Sequence, residues 1–141
     1  MVIKEFKGKY RFLSNFYPSP FTIKNIEYKT IEHWFQSQKT NNFYEQKSIR
    51  NAKTPALAKA LGKKCHLRED WEQVKLIIME EGVRAKFTQH PKLKQFLIET
   101  GDQVLEEGNR WKDAFWGIDL NKNQGLNHLG KILMKIRKEL M

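Results

Sequence analysis

In the stretch "YKTIEHWFQSQK", residues 28–39, a carboxylate, a carboxamide and an amine recur at helical spacing as Glu32, Gln36 and Lys39. Residues three, four or seven apart share a face of an α-helix, so these groups would be near neighbours. Two readings compete. An exposed Glu–Lys pair on a helix is common and contributes roughly 0.3–0.5 kcal/mol. A carboxylate beside an amine is also what proton transfer and nucleophilic attack by lysine require. The intervening His33, Trp34 and Phe35 leave little arc for solvent, which is hard to reconcile with a plain surface helix.

Other stretches offer chemistry too. In "NRWKDAFWG", Asp113 stands between Trp111, Phe115 and Trp116, before a turn ending at Gly117. Large apolar neighbours would desolvate that carboxyl and favour its protonated form, as a general acid needs; the alternative is a surface aspartate in a turn. In "RFLSNFYPSPF", Arg11, Ser14 and Asn15 lie among Tyr10, Phe12, Phe16, Tyr17 and Phe21. Such a loop could stack a planar base and read its edges, or its aromatics could simply anchor it to the core. "GLNHLGK", residues 125–131, matches most of a phosphate-binding loop, but Ile132 replaces the hydroxyl residue and no buried strand precedes it. What survives is that Gly125 and Asn127, at a helix N-terminus, could offer backbone N–H groups to an anion. Trp71 is either a pocket wall or a core residue, and Lys86 in "VRAKF" is a second candidate amine. The four histidines and Cys65 show no metal-ligand spacing, so no metal site is expected.

The elements that would carry these residues are mostly helices. Residues 2–29 read as short extended pieces, with a hairpin turning at Asn25. Thr30 caps a helix to about Lys39, and Asn41 or Asn42 caps another over "FYEQKSIR". "TPALAKALG" has Thr54 as cap, Pro55 in the first turn and Gly62 as the stop. Asp70 opens a longer helix whose period runs through Trp71, Val74, Ile77 or Ile78, Glu81 and Ala85, weakened by Gly82. A helix follows from Pro91 to before Gly101, and a last one spans about Leu126 to Leu140, with Leu129, Leu133, Ile136 and Leu140 as its apolar stripe. The expectation is a mainly α single domain, residues 1–141, with a small N-terminal β element.

Composition sets the outer bounds. A chain of 141 residues with 40% apolar and 12% aromatic residues can bury one core. No transmembrane span or signal-peptide core can be drawn, and a single cysteine fits a reducing compartment, so a cytoplasmic protein is expected. The net charge is +10, and between Gln46 and Arg68 seven basic residues stand with no acidic one. Such a field attracts phosphates on nucleic acid or on a nucleotide, unless it is merely a solvated surface.

Taken together, "RFLSNFYPSPF", "TIEHWFQSQK", "DWEQVKLIIMEEGVRAKFTQHPKL", "DAFWG" and "GLNHLGKILMKIR" resemble, in order, the YbiA/NADAR family of N-glycosidases. The resemblance implies a compact helical fold and hydrolysis of the N-glycosidic bond between ribose and an exocyclic amine. The family's substrates are phosphoribosylamino intermediates of riboflavin synthesis and ADP-ribosylated guanine, possibly within nucleic acid. It places functional roles on Glu32, Trp71, Asp113 and Lys39. Arg11, Ser14, Asn15, Phe16, Gln36, Lys86, Trp116, Gly117 and Asn127 are the candidate substrate contacts. Trp34 and Ser37 depart from the tyrosine and alanine common in the family. A lone pair on the exocyclic nitrogen can open the ribose to an imine, which Lys39 could attack; direct attack by water needs only two carboxyl groups. Basic residues and the loop after Gly8 would hold the phosphate, and neither route calls for a metal or cofactor. A non-catalytic module binding ADP-ribose or nucleic acid is the alternative, and the oligomeric state stays open.

Overall fold

A computed structural model describes residues 1–141. About half of them are helical and the strands are short, so the protein is mainly α. Backbone contacts group the chain into two compact units, Met1–Ser14 with His90–Met141, and Asn15–Gln89.

The Asn15–Gln89 unit begins with a hairpin, β2 (Phe21–Ile23) against β3 (Ile26–Tyr28); β1 belongs to the other unit and is given below. Lys24 and Asn25 turn it with φ of 52° and 67°, the left-handed pair that lets two residues join twisted antiparallel strands. Three helices follow, and their caps come from side chains whose short oxygens satisfy an orphan N–H of the first turn. Thr30 accepts from His33 N to start α1 (Ile31–Ser37), Asn42 from Glu45 N to start α2 (Phe43–Arg50), and Thr54 from Leu57 N to start α3 (Pro55–Gly62). α4 (Trp71–Gln89) closes the unit. α1 is buried along its whole length, wrapped by the other three helices.

Gly62 is the last residue of α3, as its pattern suggests, and a Cβ there would collide with the side chain of Gln36 on α1. Several sequence expectations change here. α1 stops at Ser37, so Lys39 lies just beyond the helix, its N–H donating to Gln36 O. On α4, Ile77 and Glu81 face outward, and the buried side runs through Trp71, Ile78, Met79, Gly82, Val83 and Lys86. Gly82, expected only to weaken that helix, receives the Trp34 indole.

In the other unit, β1 (Val2–Ile3) pairs in parallel with β4 (Val104–Leu105), and β5 (Gly108–Asn109) with β6 (Ile118–Asp119). Gly8–Leu13, within the stretch expected to be extended, forms a 3-10 helix. α5 (Pro91–Glu99) starts at a proline and is followed by Gly101 at φ 65°. α6 (His128–Leu140) buries Leu129, Leu133 and Ile136. It begins two residues later than its pattern suggests, since Asn127 holds a left-handed φ of 54°. No helix is long and apolar enough to cross a membrane.

Candidate active site

Within Asn15–Gln89, the Thr30 cap sets Glu32 in the first turn of α1. The helix N-terminus favours a negative charge there. Glu32 is 7% exposed, and its Oε2 accepts from Gln36 Nε2 at 2.7 Å. The Gln36 amide is buried as well, and its Oε1 has no hydrogen-bond donor. The pair therefore sits inside the unit, and the exposed-helix reading of the spacing fails.

Lys39 is half-buried, with Nζ 5.8 Å from the centre of the Phe35 ring, and it enters no ion pair. Phe35 in turn meets Trp71 at 5.0 Å between ring centres, tilted by 59°. Burial lowers the pKa of Lys39; Glu32 and Cys65 pull it back up, while Lys59 and Lys63 lower it further. An amine in this setting reaches its neutral, nucleophilic form at lower pH than a solvated lysine.

The segment after Ser14 packs over the start of this helix. Asn15 O accepts from Glu32 N at 3.1 Å, and Asn15 Nδ2 reaches Met79 Sδ at 3.6 Å. Asn15 Oδ1 is buried without a donor, and the neighbouring Phe16 is 40% exposed. One turn pair along α4 from Met79, Lys86 is fully buried, its Nζ 5.5 Å from the Tyr17 ring centre and 5.1 Å from that of Phe87. Desolvation lowers its pKa to about 7. Gln36 and Asn15 thus bond Glu32 directly and Phe35 links Lys39 to Trp71, while Lys86 lies among Tyr17 and Phe87; of the two lysines, Lys39 is the one that solvent reaches.

His33, between Glu32 and Trp34, is spoken for. Its Nε2 lies 2.9 Å from Ala52 O, which can only accept, so the proton is on Nε2 and Nδ1 faces the Thr30 hydroxyl at 2.8 Å. Burial lowers its pKa, which keeps that neutral ring in place.

In the other unit, Asp113 is half-buried and Trp111 beside it is 60% exposed, so that indole does not shield the carboxyl as expected. Asp113 Oδ1 accepts from Phe115 N at 3.0 Å and Trp116 N at 2.9 Å. Asn109 grips the same loop, taking Asp113 N on its Oδ1 and donating to Asp113 O. Trp116 packs edge-on to Phe115, with ring centres 4.9 Å apart. Gly117 is glycine because Glu107 passes where a Cβ would lie. Arg11 is exposed on the 3-10 helix and Ser14 closes it, donating its N–H to Arg11 O.

Of the two N–H groups anticipated as an anion seat, at Gly125 and Asn127, that of Asn127 is already committed. The N–H groups of residues 126–129 donate in turn to the carbonyls of Ala114, Gly117, Phe115 and Trp116. Asn127 uses its side chain the same way: Oδ1 accepts from Glu107 N and Nδ2 donates to Leu105 O. It positions loops rather than an anion.

Sequence reasoning passed over Asn109, which shapes the Asp113 loop, and Lys59 on α3 with Lys63 just past it, which lower the Lys39 pKa. The i, i+4 spacing of Lys59 and Lys63 across Gly62 was the signal available for the latter. Two cavities, of about 540 Å³ along Thr40–Asn42 and His66–Asp70 and about 300 Å³ between Tyr10 and Phe96, include none of Glu32, Lys39 and Asp113 in their walls.

Comparison with known proteins adds the rest. The NADAR domain model matches residues 3–141. An N-glycosidase of Nostoc punctiforme is 43% identical over 140 residues, covering 93% of this chain and 86% of that protein. The N-glycosidase YbiA of Escherichia coli is 36% identical over 129 residues, covering 90% and 79%. A riboflavin biosynthesis protein of Vibrio vulnificus is 38% identical over 131 residues, 92% of this chain but 35% of that longer protein. The NMR structure of Escherichia coli YbiA superposes with a TM-score of 0.88 at 34% identity, covering 99% of this chain and 83% of that one. Ordered motifs, family model and solved relative agree: the chain belongs to the NADAR family.

Proposed function

We propose that the protein, acting as one NADAR domain over residues 1–141, is an N-glycosidase. It hydrolyses the bond between the ribose of a ribose phosphate or ADP-ribose and an exocyclic amine of a base. The observation that carries this reading is the buried Glu32 carboxylate, hydrogen-bonded to Gln36, beside an accessible lysine whose pKa is lowered. The names of the relatives support it, N-glycosidase in two cases and riboflavin biosynthesis in a third. A cytoplasmic setting fits the single free thiol, Cys65.

The chemistry follows from the substrate bond. The lone pair of the exocyclic nitrogen expels the ring oxygen, which takes a proton, leaving an iminium at C1. The neutral Lys39 amine adds to C1, and Glu32 takes the proton released from the new C–N bond. Protonation of the base nitrogen breaks the old C–N bond and frees the base, with Glu32 returning the proton as the acid. The remaining lysine Schiff base adds water and collapses to free ribose aldehyde and Lys39. Asn15 and Phe16 border Glu32 and are proposed to meet the base, while Trp71 supports Phe35 and the sugar.

Incubation with a phosphoribosylamino pyrimidine and, separately, with ADP-ribosylated guanine, without added metal, should release free base from at least one. Borohydride during turnover should reduce the Schiff base and leave a ribosyl mass on the peptide containing Lys39. Release without any adduct, together with an active Lys39→Arg variant, would favour direct attack by water with no covalent intermediate. No release from either substrate would support a non-catalytic module.

A further inference from the structure

The basic run from Gln46 to Arg68 contains no acidic residue, and two of its lysines are set apart by how α3 lies. α3 comes down on α1 at Gly62, where the missing side chain admits Gln36. Lys59 and Lys63 flank that contact, four residues and about one helical turn apart. Gln36 holds Glu32, and Lys39 follows three residues later. Burial is the main cause that lowers the Lys39 pKa; Lys59 on α3 and Lys63 just past its end lower it further, against Glu32 and Cys65. None of the three lysines enters an ion pair; Lys59 is half-buried and Lys63 is exposed.

Two cations left uncompensated next to a third repel one another, and a single glutamate does not balance them. A bound anion would. Lysine serves phosphate as a compact point charge, and two of them one turn apart match a doubly charged phosphate better than a single carboxylate. The seat lies beside the amine assigned to attack C1, on a substrate whose ribose carries phosphate at its far end.

We propose that Lys59 and Lys63 form the seat for the phosphate on the substrate's ribose and so hold C1 against Lys39. This rests on the N-glycosidase reading above for the identity of the ligand.

An NMR titration with ribose 5-phosphate, with ribose as control, tests this without turnover. The side-chain resonances of Lys59 and Lys63 should move with ribose 5-phosphate and not with ribose. Lys59→Gln/Lys63→Gln should weaken binding tenfold or more, and Lys59→Arg/Lys63→Arg should retain most of it. The backbone spectrum of each variant shows that it is folded. ADP-ribose in parallel separates a terminal phosphate from a bridging diphosphate by which ligand binds more tightly. Unmoved lysine resonances, or a Gln variant that binds as tightly as the parent, would mean these are solvated charges at the end of α3, and the inference would fall. Binding through the two lysines with no glycosidase turnover would instead overturn the assigned reaction and leave the seat standing.

Discussion

Gln36 donates its amide to the Glu32 carboxylate at 2.7 Å while its own oxygen, buried against α3, meets no donor. An amide held that way fixes the carboxylate at the cost of one orphaned acceptor. Glu32→Gln preserves size and can still accept from Gln36, so the fold should survive. Loss of the proton-transfer group should lower kcat by about 10²–10⁴-fold with Tm nearly unchanged. Near-normal turnover in a steady-state assay would remove Glu32 from the mechanism.

Trp71 is buried against Phe35, whose ring also borders Lys39. Trp71→Phe keeps an aromatic ring but shortens it. If the indole supports the site, kcat/KM should drop at least tenfold, with a stability loss of about 1–2 kcal/mol. Unaltered activity per folded molecule with a large fall in Tm would make Trp71 a core residue alone.

Lys86 gives a pH signature. Its pKa is lowered by burial from the ordinary lysine value to about 7. Above about pH 10.4 the amine is neutral in both folded and unfolded chains and nothing is lost. As pH falls toward 7 the unfolded chain takes up the proton first, so stability declines through that window and levels off below it. Each unit is worth about 1.4 kcal/mol, so the total is on the order of several kcal/mol. Lys86→Met should flatten the curve between pH 7 and 10 and raise Tm at pH 7, as read by thermal melts across the series. A curve unchanged by the substitution would mean the amine is not the titrating group.

Asn127 combines a left-handed backbone with two side-chain bonds to the main chain of Leu105 and Glu107. Asn127→Ala loses both bonds and places alanine at positive φ. The cost should be about 2–4 kcal/mol, or a Tm lower by roughly 5–15 °C. Asn127→Gly, which relieves the backbone but not the bonds, should recover part of it.

What could be read in the sequence was whatever is settled within a few residues. Thr30, Asn42 and Thr54 cap their helices because the acceptor and the N–H it meets are three positions apart. Asn25 marks its turn for the same local reason. The strands β4, β5 and β6 escaped because each is two residues long and pairs with a distant segment, leaving no alternation to detect. The buried side of α4 was legible at Trp71, Ile78 and Ala85 but missed at Gly82 and Lys86, residue types that ordinarily mark a break or a surface. The helical face of Glu32 and Gln36 was visible, yet its burial depended on α3, whose approach hangs on Gly62.

Trp34 and Gly82 carry a consequence for how such a chain can change over generations. The indole fills the space of the missing side chain at 82, and its Nε1 donates to Ile78 O at 2.8 Å. Alanine at 82, which would suit the helix better on propensity alone, meets the ring. The two positions are therefore epistatic, and the order of change matters: a lineage can accept alanine at 82 only after the indole at 34 has given way to a smaller ring. With a ring too short to fill the notch, the helix-favouring alanine turns from harmful to beneficial. The same substitution changes sign with its neighbour.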